Sequence, residues 1–175
     1  MAATLSYPYT DSPAPGSTLP IVGGLHWVRM PLPFALDHIN LWLMEDADGV
    51  TLVDTGFGNP TTREHWRTAL AGRPVKRAVV THFHPDHMGN AGWFEAEDGA
   101  EVLTSERDFI WSQAMRYIPA ELELDRRLAF YRQHGMSEDQ ITAMAGRRNW
   151  YPQGVPTVPT RFHRLVDGQM LRLGG

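Results

Sequence analysis

With 175 residues, 42% of them hydrophobic and 21% charged, the chain has the composition of one ordinary globular domain, large enough to bury a core. A formal charge of −4 without long basic or acidic blocks leaves no electrostatic footprint for nucleic acid or an anionic membrane. The lack of cysteine excludes disulfides and thiolate ligands, so any metal has to be held by imidazole and carboxylate. No apolar run approaches the length of a membrane span, and the first residues lack a basic start followed by a hydrophobic stretch, so a cytoplasmic protein is expected.

Residues 1–20, with prolines at 8, 13, 15 and 20 and no sustained apolar periodicity, read as a flexible N-terminal arm, and 21–175 as the domain. Three β-type runs follow: IVGGLHWVRM from Ile21, INLWLM from Ile39 and VTLVDT from Val50. The turn-forming EDADG between the last two predicts a hairpin. NPTTREHWRTALAG, from Asn59, predicts a helix with Thr61 and Glu64 as a capping box, Trp66 and Leu70 on one face, and Gly72 and Pro74 as its stop. VKRAVVTH from Val75 is another β run; a short helical piece with Trp93 and Phe94 then leads to AEVLTS from Ala100. This order implies a mixed sheet with helices on one face.

From Ser105 to about residue 150 the texture is that of a helical insert. SERDFIWSQAM, PAELELDRRLAFYRQHG and SEDQITAMAGRRN begin with the start signals Ser105, Pro119, and Ser137 with Gln140 three residues on; Gly135 fits the stop of the middle one. Trp111, Tyr117 and Tyr131, with Arg126 and Arg127 nearby, are expected mainly to pack the insert onto the sheet, one or two of the aromatics closing over a site as a lid. A proline-rich loop precedes RFHRLVDGQMLRLGG, which predicts a strand, a turn at Asp167 and Gly168, and the start of a further strand. RMPLPFALDHIN, Arg29 to Asn40, reads equally as a plain packed loop and as a segment whose Pro, Phe and His line the mouth of a site.

The densest chemistry lies in VVTHFHPDHMGN, Val79 to Asn90, where three histidines and an aspartate fall within six residues. In extended backbone successive side chains alternate, so His82 and His84 point the same way and can share one metal ion. Pro85 disfavours helical geometry at His84. If the chain then turns into a helix, Asp86 and His87 come round to the same mouth and can hold a second ion beside the first. Imidazole and carboxylate suit zinc, and also iron or manganese. The isolated His26, His65, His134 and His163 read as structural or exposed, while the neighbourhood of His38 leaves it open.

THFHPDHMGN and TLVDTGFG, Thr51 to Gly58, together with the 28 residues from Asp54 to His82, filled by one helix and one strand, resemble the metallo-β-lactamase superfamily, in particular its glyoxalase II-like metallohydrolases. The resemblance implies an α+β fold, the four-layer αββα sandwich, with a metal centre at one end of the two sheets. It makes His82 and His84 ligands of a first Zn(2+) ion and Asp86 and His87 ligands of a second. Asp54 would brace the ligand loop from behind, because metal-bound imidazoles need a partner for their other ring nitrogen. Thr55 and Gly56 would shape the turn, and Asp86 would both ligate and orient the nucleophile.

The chain also departs from the family's pattern. Members complete the first ligand set with a histidine in a TPGH-like segment, and the second with a bridging aspartate and a final histidine, none of which is present. The expectation is a truncated chain, the N-terminal half of the fold plus a helical insert, with His134 or His163 as the alternative source of a missing ligand. An inner face built from Leu41, Leu43, Leu52, Val79 and Val80 would then lack part of its cover, which favours self-association. A homo-oligomer therefore joins a small-molecule substrate among the expected partners.

The activity implied is hydrolysis of a small thioester, ester or lactone by zinc-activated hydroxide, in a protein that carries the missing ligands. The absent basic surface disfavours the nucleases of the group. The alternatives are a mononuclear iron sulfur dioxygenase of the same fold and a non-catalytic fragment; the diiron oxidoreductases usually carry glutamate where this chain has His84.

Overall fold

The computed structural model describes residues 5–119, 122, 124–146 and 149–173. Among these, seven strands form one sheet in chain order: β1 (Thr18–Val22), β2 (Leu25–Pro31), β3 (His38–Asp46), β4 (Gly49–Val53), β5 (Val75–Val79), β6 (Glu101–Thr104) and β7 (His163–Arg164). The first four are antiparallel, joined by short turns; β4 to β7 are parallel, because helical crossovers join them. The crossovers hold α1 (Pro60–Leu70), then α2 (Pro85–Met88) and α3 (Ala91–Asp98), then α4 (Glu106–Tyr117), α5 (Leu124–Gln133), α6 (Glu138–Ala145) and α7 (Tyr151–Gly154).

Several local expectations change for identifiable reasons. The run from Ile21 is two strands, since Gly23 and Gly24 both adopt positive φ (51° and 77°) and turn the chain back as a hairpin. The arm expected over residues 1–20 overlaps β1 at its end, and before that Ser12 Oγ accepts from Arg29 Nη1 at 2.8 Å while Pro13 and Gly16 are buried. α1 starts two residues earlier than a Thr61 and Glu64 capping box would place it. Asn59 is its N-cap, accepting from Thr62 N at 2.7 Å, and Pro60 occupies the first turn, where a missing N–H costs nothing. The capping box at Ser137 and Gln140 is present as expected. The middle helix of the insert begins at Leu124, not at Pro119; residues 120, 121 and 123 lie outside the described residues. Asp167 and Gly168 form the expected turn, with Gly168 at φ 76°, but residues 169–173 add no strand.

The helices cover one face of the sheet. Trp66, Ala69 and Leu70 of α1 and Phe94 of α3 bury Val28, Met30, Leu41, Leu43, Val50 and Leu52 completely. A second cluster joins Val80 and Val102 to Met88, Tyr151 and Val155. Leu41, Leu43, Leu52 and Val80 therefore belong to the helix-covered face, contrary to the expectation that they would face a second sheet. The opposite face carries a different apolar row, set by strand register: Trp27 beside Trp42, Trp42 beside Val53, Val53 beside Val79, Val79 beside Leu103. Trp42 is 37% exposed there.

The insert divides into two parts. α4 packs against α7, and α5 against α6. α5 and α6 each bury a single residue, Leu128 and Ile141. Tyr131 accordingly belongs to a helical hairpin and Tyr117 is 70% exposed, so these aromatics do not pack the insert onto the sheet as expected.

Three glycines mark where the chain after β4, the end of α2 and the end of α7 cross. A Cβ on Gly89 would come within 2.4 Å of Gly56 O, Gly58 N and Pro85 O; one on Gly58 would meet Gly89 O at 2.4 Å; one on Gly154 would meet the Phe57 ring at 2.4 Å. These clashes are with backbone or a fixed ring, so no side chain can move aside. Gly89→Ala is expected to cost at least about 3 kcal/mol, at or beyond the upper end of ordinary overpacking. Gly72→Ala, strained by φ +81° but with open space around its Cβ, is expected to cost only about 1 kcal/mol. Urea unfolding of the two variants measures the difference.

Candidate active site

The site grows from the end of β4. Asp54 is buried with φ 62°, a left-handed conformation that aspartate tolerates better than most residues. Its carboxylate is satisfied from the chain leaving β5 and from α2. Oδ1 accepts from Thr81 N at 2.8 Å, Oδ2 accepts from Thr81 Oγ1 at 2.8 Å, and His87 Nδ1 lies 2.8 Å from Oδ2. The next residue fastens the same two segments: Thr55 N and Thr55 Oγ1 both donate to His87 O, at 2.8 and 2.7 Å. Asn90, fully buried, adds an amide that donates to Thr55 O and Phe57 O, while its Oδ1 accepts from Arg63 Nε. Thr81 and Asn90 lie within the motif but carry no ligand chemistry, and only the fold reveals their role as fasteners.

On this base the three motif histidines come together. His82 Nε2 and His84 Nδ1 face each other at 3.0 Å, and the rings of His82 and His87 lie 3.9 Å apart. Two nitrogens bound tetrahedrally to one zinc at 2.0–2.1 Å would stand about 3.3 Å apart, so this pair is close to a ligating arrangement. His87 gives Nδ1 to Asp54, and its Nε2 lies 3.4 Å from Asp86 Oδ2. The donors thus form two pairs, His82 with His84 and Asp86 with His87. Among the described residues no set of three or more His, Asp or Glu side chains is arranged to hold one ion. His134 and His163 do not complete it: His134 Nδ1 donates to Phe130 O, and His163 faces Glu101 at 3.6 Å.

The titration of these groups follows from their contacts. Burial opposes charge on His87, but the hydrogen bonds to Asp54 and Asp86 outweigh it and raise its pKa to about 9. His82 is lowered, by burial first and then by the neighbouring His87 and His84. Asp86 is lowered because its contact with His87 overcomes a burial effect of opposite sign.

The helical insert anchors the loop from the other side. Phe83 N donates to Asp108 Oδ1 at 3.2 Å, and Tyr151 Oη donates to Phe83 O at 2.6 Å. Burial raises the Tyr151 phenol above its ordinary value, which keeps it a donor. Neither anchor has a sequence signal, since the partners lie 25 and 68 residues away. Between motif and insert opens a cleft of about 350 Å³ that His84 lines directly. Trp111 lines it, whereas Tyr117 and Tyr131 do not. From Arg29–Asn40, Phe34 reaches the rim, its ring 5.4 Å from Phe57 and 5.3 Å from Trp150; His38 instead pairs with Asp37 at 2.6 Å.

The raised His87 pKa makes a prediction for chelator-treated protein. The folded state holds this proton more tightly than the unfolded state, whose histidine titrates near 6.5. Its contribution to stability is therefore complete below about 6.5 and is lost as pH rises through about 9. Urea midpoints should fall across that window, and Asp54→Asn should flatten the decline.

The chain also has recognisable relatives. Residues 35–161 match the profile of the Metallo-beta-lactamase superfamily. A beta-lactamase domain protein from Burkholderia ambifaria superposes with a TM-score of 0.75 at 35% identity, over 96% of this chain and 50% of that one. A hydroxyacylglutathione hydrolase from Albidiferax ferrireducens is 30% identical over 79 residues, 45% of this chain and 29% of its own length. The human metallo-beta-lactamase domain-containing protein 1 is 44% identical over 82 residues, 44% of this chain and 28% of its own length. The chain thus spans less than a third of these two curated relatives and half of the solved one. Its mixed sheet and helices correspond to the N-terminal half of that fold, and the chain belongs to the metallo-β-lactamase superfamily.

Proposed function

We propose that this chain supplies part of the metal centre of a hydrolase acting on a small thioester, ester or lactone. The observation that carries the reading is the pairing of donors. His82 Nε2 and His84 Nδ1 lie 3.0 Å apart, which supports a shared ion, and Asp86 Oδ2 lies 3.4 Å from His87 Nε2, which supports a second. Zinc is the first choice for this nitrogen and carboxylate set, with iron or manganese compatible. Similarity to a hydroxyacylglutathione hydrolase supports a thioester.

When bound, zinc would acidify water enough to furnish hydroxide near neutral pH. The protein's own part is positional. Asp54 holds His87 by Nδ1 and leaves Nε2 toward the mouth; Thr81 Oγ1, 3.1 Å from His82 Nδ1, does the same for His82. Asp86 stands at the mouth with a lowered pKa, ionised and able to orient a nucleophile. Phe83 and Trp111 stack with ring centroids 6.0 Å apart beside the motif. Each donor pair is one protein ligand short of the three that catalytic zinc commonly keeps, so full activity belongs to a protein in which further ligands meet this loop.

Cobalt or zinc titration with thioester, lactone and β-lactam panels tests the reading. His82→Ala and His84→Ala should abolish retention of one ion. Asp54→Ala should weaken metal binding about 10–100-fold, as the loss of a bracing partner does elsewhere. Asp86→Asn should lower kcat more than it raises KM. Oxygen uptake with iron and a persulfide, and no hydrolysis of any panel member, would replace the hydrolase with a sulfur dioxygenase.

A further inference from the structure

The cleft beside the motif has a composition of its own. Phe83, His84 and Pro85 of the motif loop form one wall, and Trp150 and Tyr151 at the start of α7 form another. The third comes from α4, where Arg107, Trp111 and Met115 recur every four residues and so stand in one row along the helix. The lining is aromatic and apolar apart from a few polar groups, and most of those are already engaged. Asn149 Nδ2 donates to Met115 O and Ile118 O, its Oδ1 accepts from Tyr151 N, and Tyr151 Oη donates to Phe83 O.

Outside His84, the unengaged polar groups of the lining are all donors. They are the indole N–H groups of Trp111 and Trp150 and the guanidinium of Arg107, which has no ion pair or hydrogen bond among the described residues. A ligand that complements this surface presents a flat apolar body to the rings and an anionic acceptor to Arg107. A single guanidinium matches one carboxylate. Polyanions such as nucleotides would leave charge uncompensated in a lining this apolar.

We propose that this cleft binds a small carboxylate with a flat apolar body, its carboxylate on Arg107 and its body along Phe83, Trp111 and Met115. The assignment rests on the hydrolase reading only in naming that carboxylate the acid released from an apolar ester or thioester. Adding water across the acyl bond breaks the carbonyl carbon's bond to sulfur or oxygen. It yields the thiol or alcohol and this acid, whose proton is lost to solvent. Arg107, one helical turn before Trp111 and lining the same cleft as His84, would then hold the carboxylate of the acid once hydrolysis has formed it.

Fluorine NMR on the chain in EDTA tests binding apart from catalysis, with 4-(trifluoromethyl)phenylacetate and its neutral amide as probes. The acetate should bind saturably and about tenfold more tightly than the amide. Arg107→Met should remove that preference and leave the amide unchanged, Arg107→Lys should restore part of it, and Trp111→Ala should weaken both probes. Equal binding of the two probes would overturn the proposal. So would an anion preference that survives Arg107→Met and disappears in His84→Ala, since the carboxylate would then sit on the histidines. A chain that shows the preference but, with metal, hydrolyses nothing leaves this site standing and removes the hydrolase reading; hydrolysis without the preference does the reverse.

Discussion

A carboxylate cannot be buried without partners, and the partners of Asp54 decide where the rest of the site lies. The residue ends β4 in a left-handed conformation, so its side chain turns back across the sheet end instead of following the strand. There it takes the N–H and hydroxyl of Thr81 and a ring nitrogen of His87. Three contacts to one anion fix both the start of the motif loop and the first turn after it. Thr55 and Asn90 repeat the fastening with neutral groups, and Trp66 Nε1 donates to Thr55 O at 2.8 Å, tying the same turn to α1. The local backbone strain at Asp54, of the order of 1–2 kcal/mol, is held by this set of bonds.

Sequence reasoning reached the motif because its information is local. The proline at 85, the extended backbone of His84 (φ −57°, ψ 148°) and the helical turn at Asp86 and His87 follow from neighbouring residues alone, and Asp54 is reachable through the family resemblance; residues 81–84, however, form a bend and not the extended stretch expected. Other local signals were present but ranked wrongly. Gly23 and Gly24 are a hairpin pair inside a run that looks continuous by hydrophobicity, and Asn59 outcompetes Thr61 as a cap because Pro60 can follow it in the first turn. Asp108 and Tyr151 were beyond reach, since their task depends on where the insert lands. The division of apolar strand residues between the two faces was also misjudged. Alternation separates Leu41 and Leu43 from Trp42, but does not say which face the helices take.

The sheet has unequal faces. Helices seal one, whereas the other presents Trp27, Trp42, Val53 and Val79 in register, with Arg77 reaching across to Asp46 and to the carbonyl of Arg172. Parallel strands such as β4 to β7 are ordinarily covered on both sides. A solved relative twice as long as the matched region has the material for such a cover. At the end of this sheet the motif loop brings two donor pairs together, His82 with His84 and Asp86 with His87.

The helical hairpin of α5 and α6 interrupts the chain between the two walls of the cleft, α4 and α7. Among the described residues its ties include the internal Arg132 to Glu138 ion pair and the contact of His134 with Phe130, and each helix buries a single side chain. Elements with so little burial open locally long before the domain unfolds. A protease cut within the hairpin would therefore sever the covalent link between the walls and leave them joined by side chains: Asn149, which grips the last turn of α4 from the approach to α7, and Gln113 and Arg116 of α4, which donate to Pro159 O and Pro156 O beyond α7. The cleft's shape is in this sense a property of a few side chains, Asn149, Gln113 and Arg116, and not of the polypeptide that loops between its sides. Sequence length in the hairpin is free to drift while the cleft stays as it is.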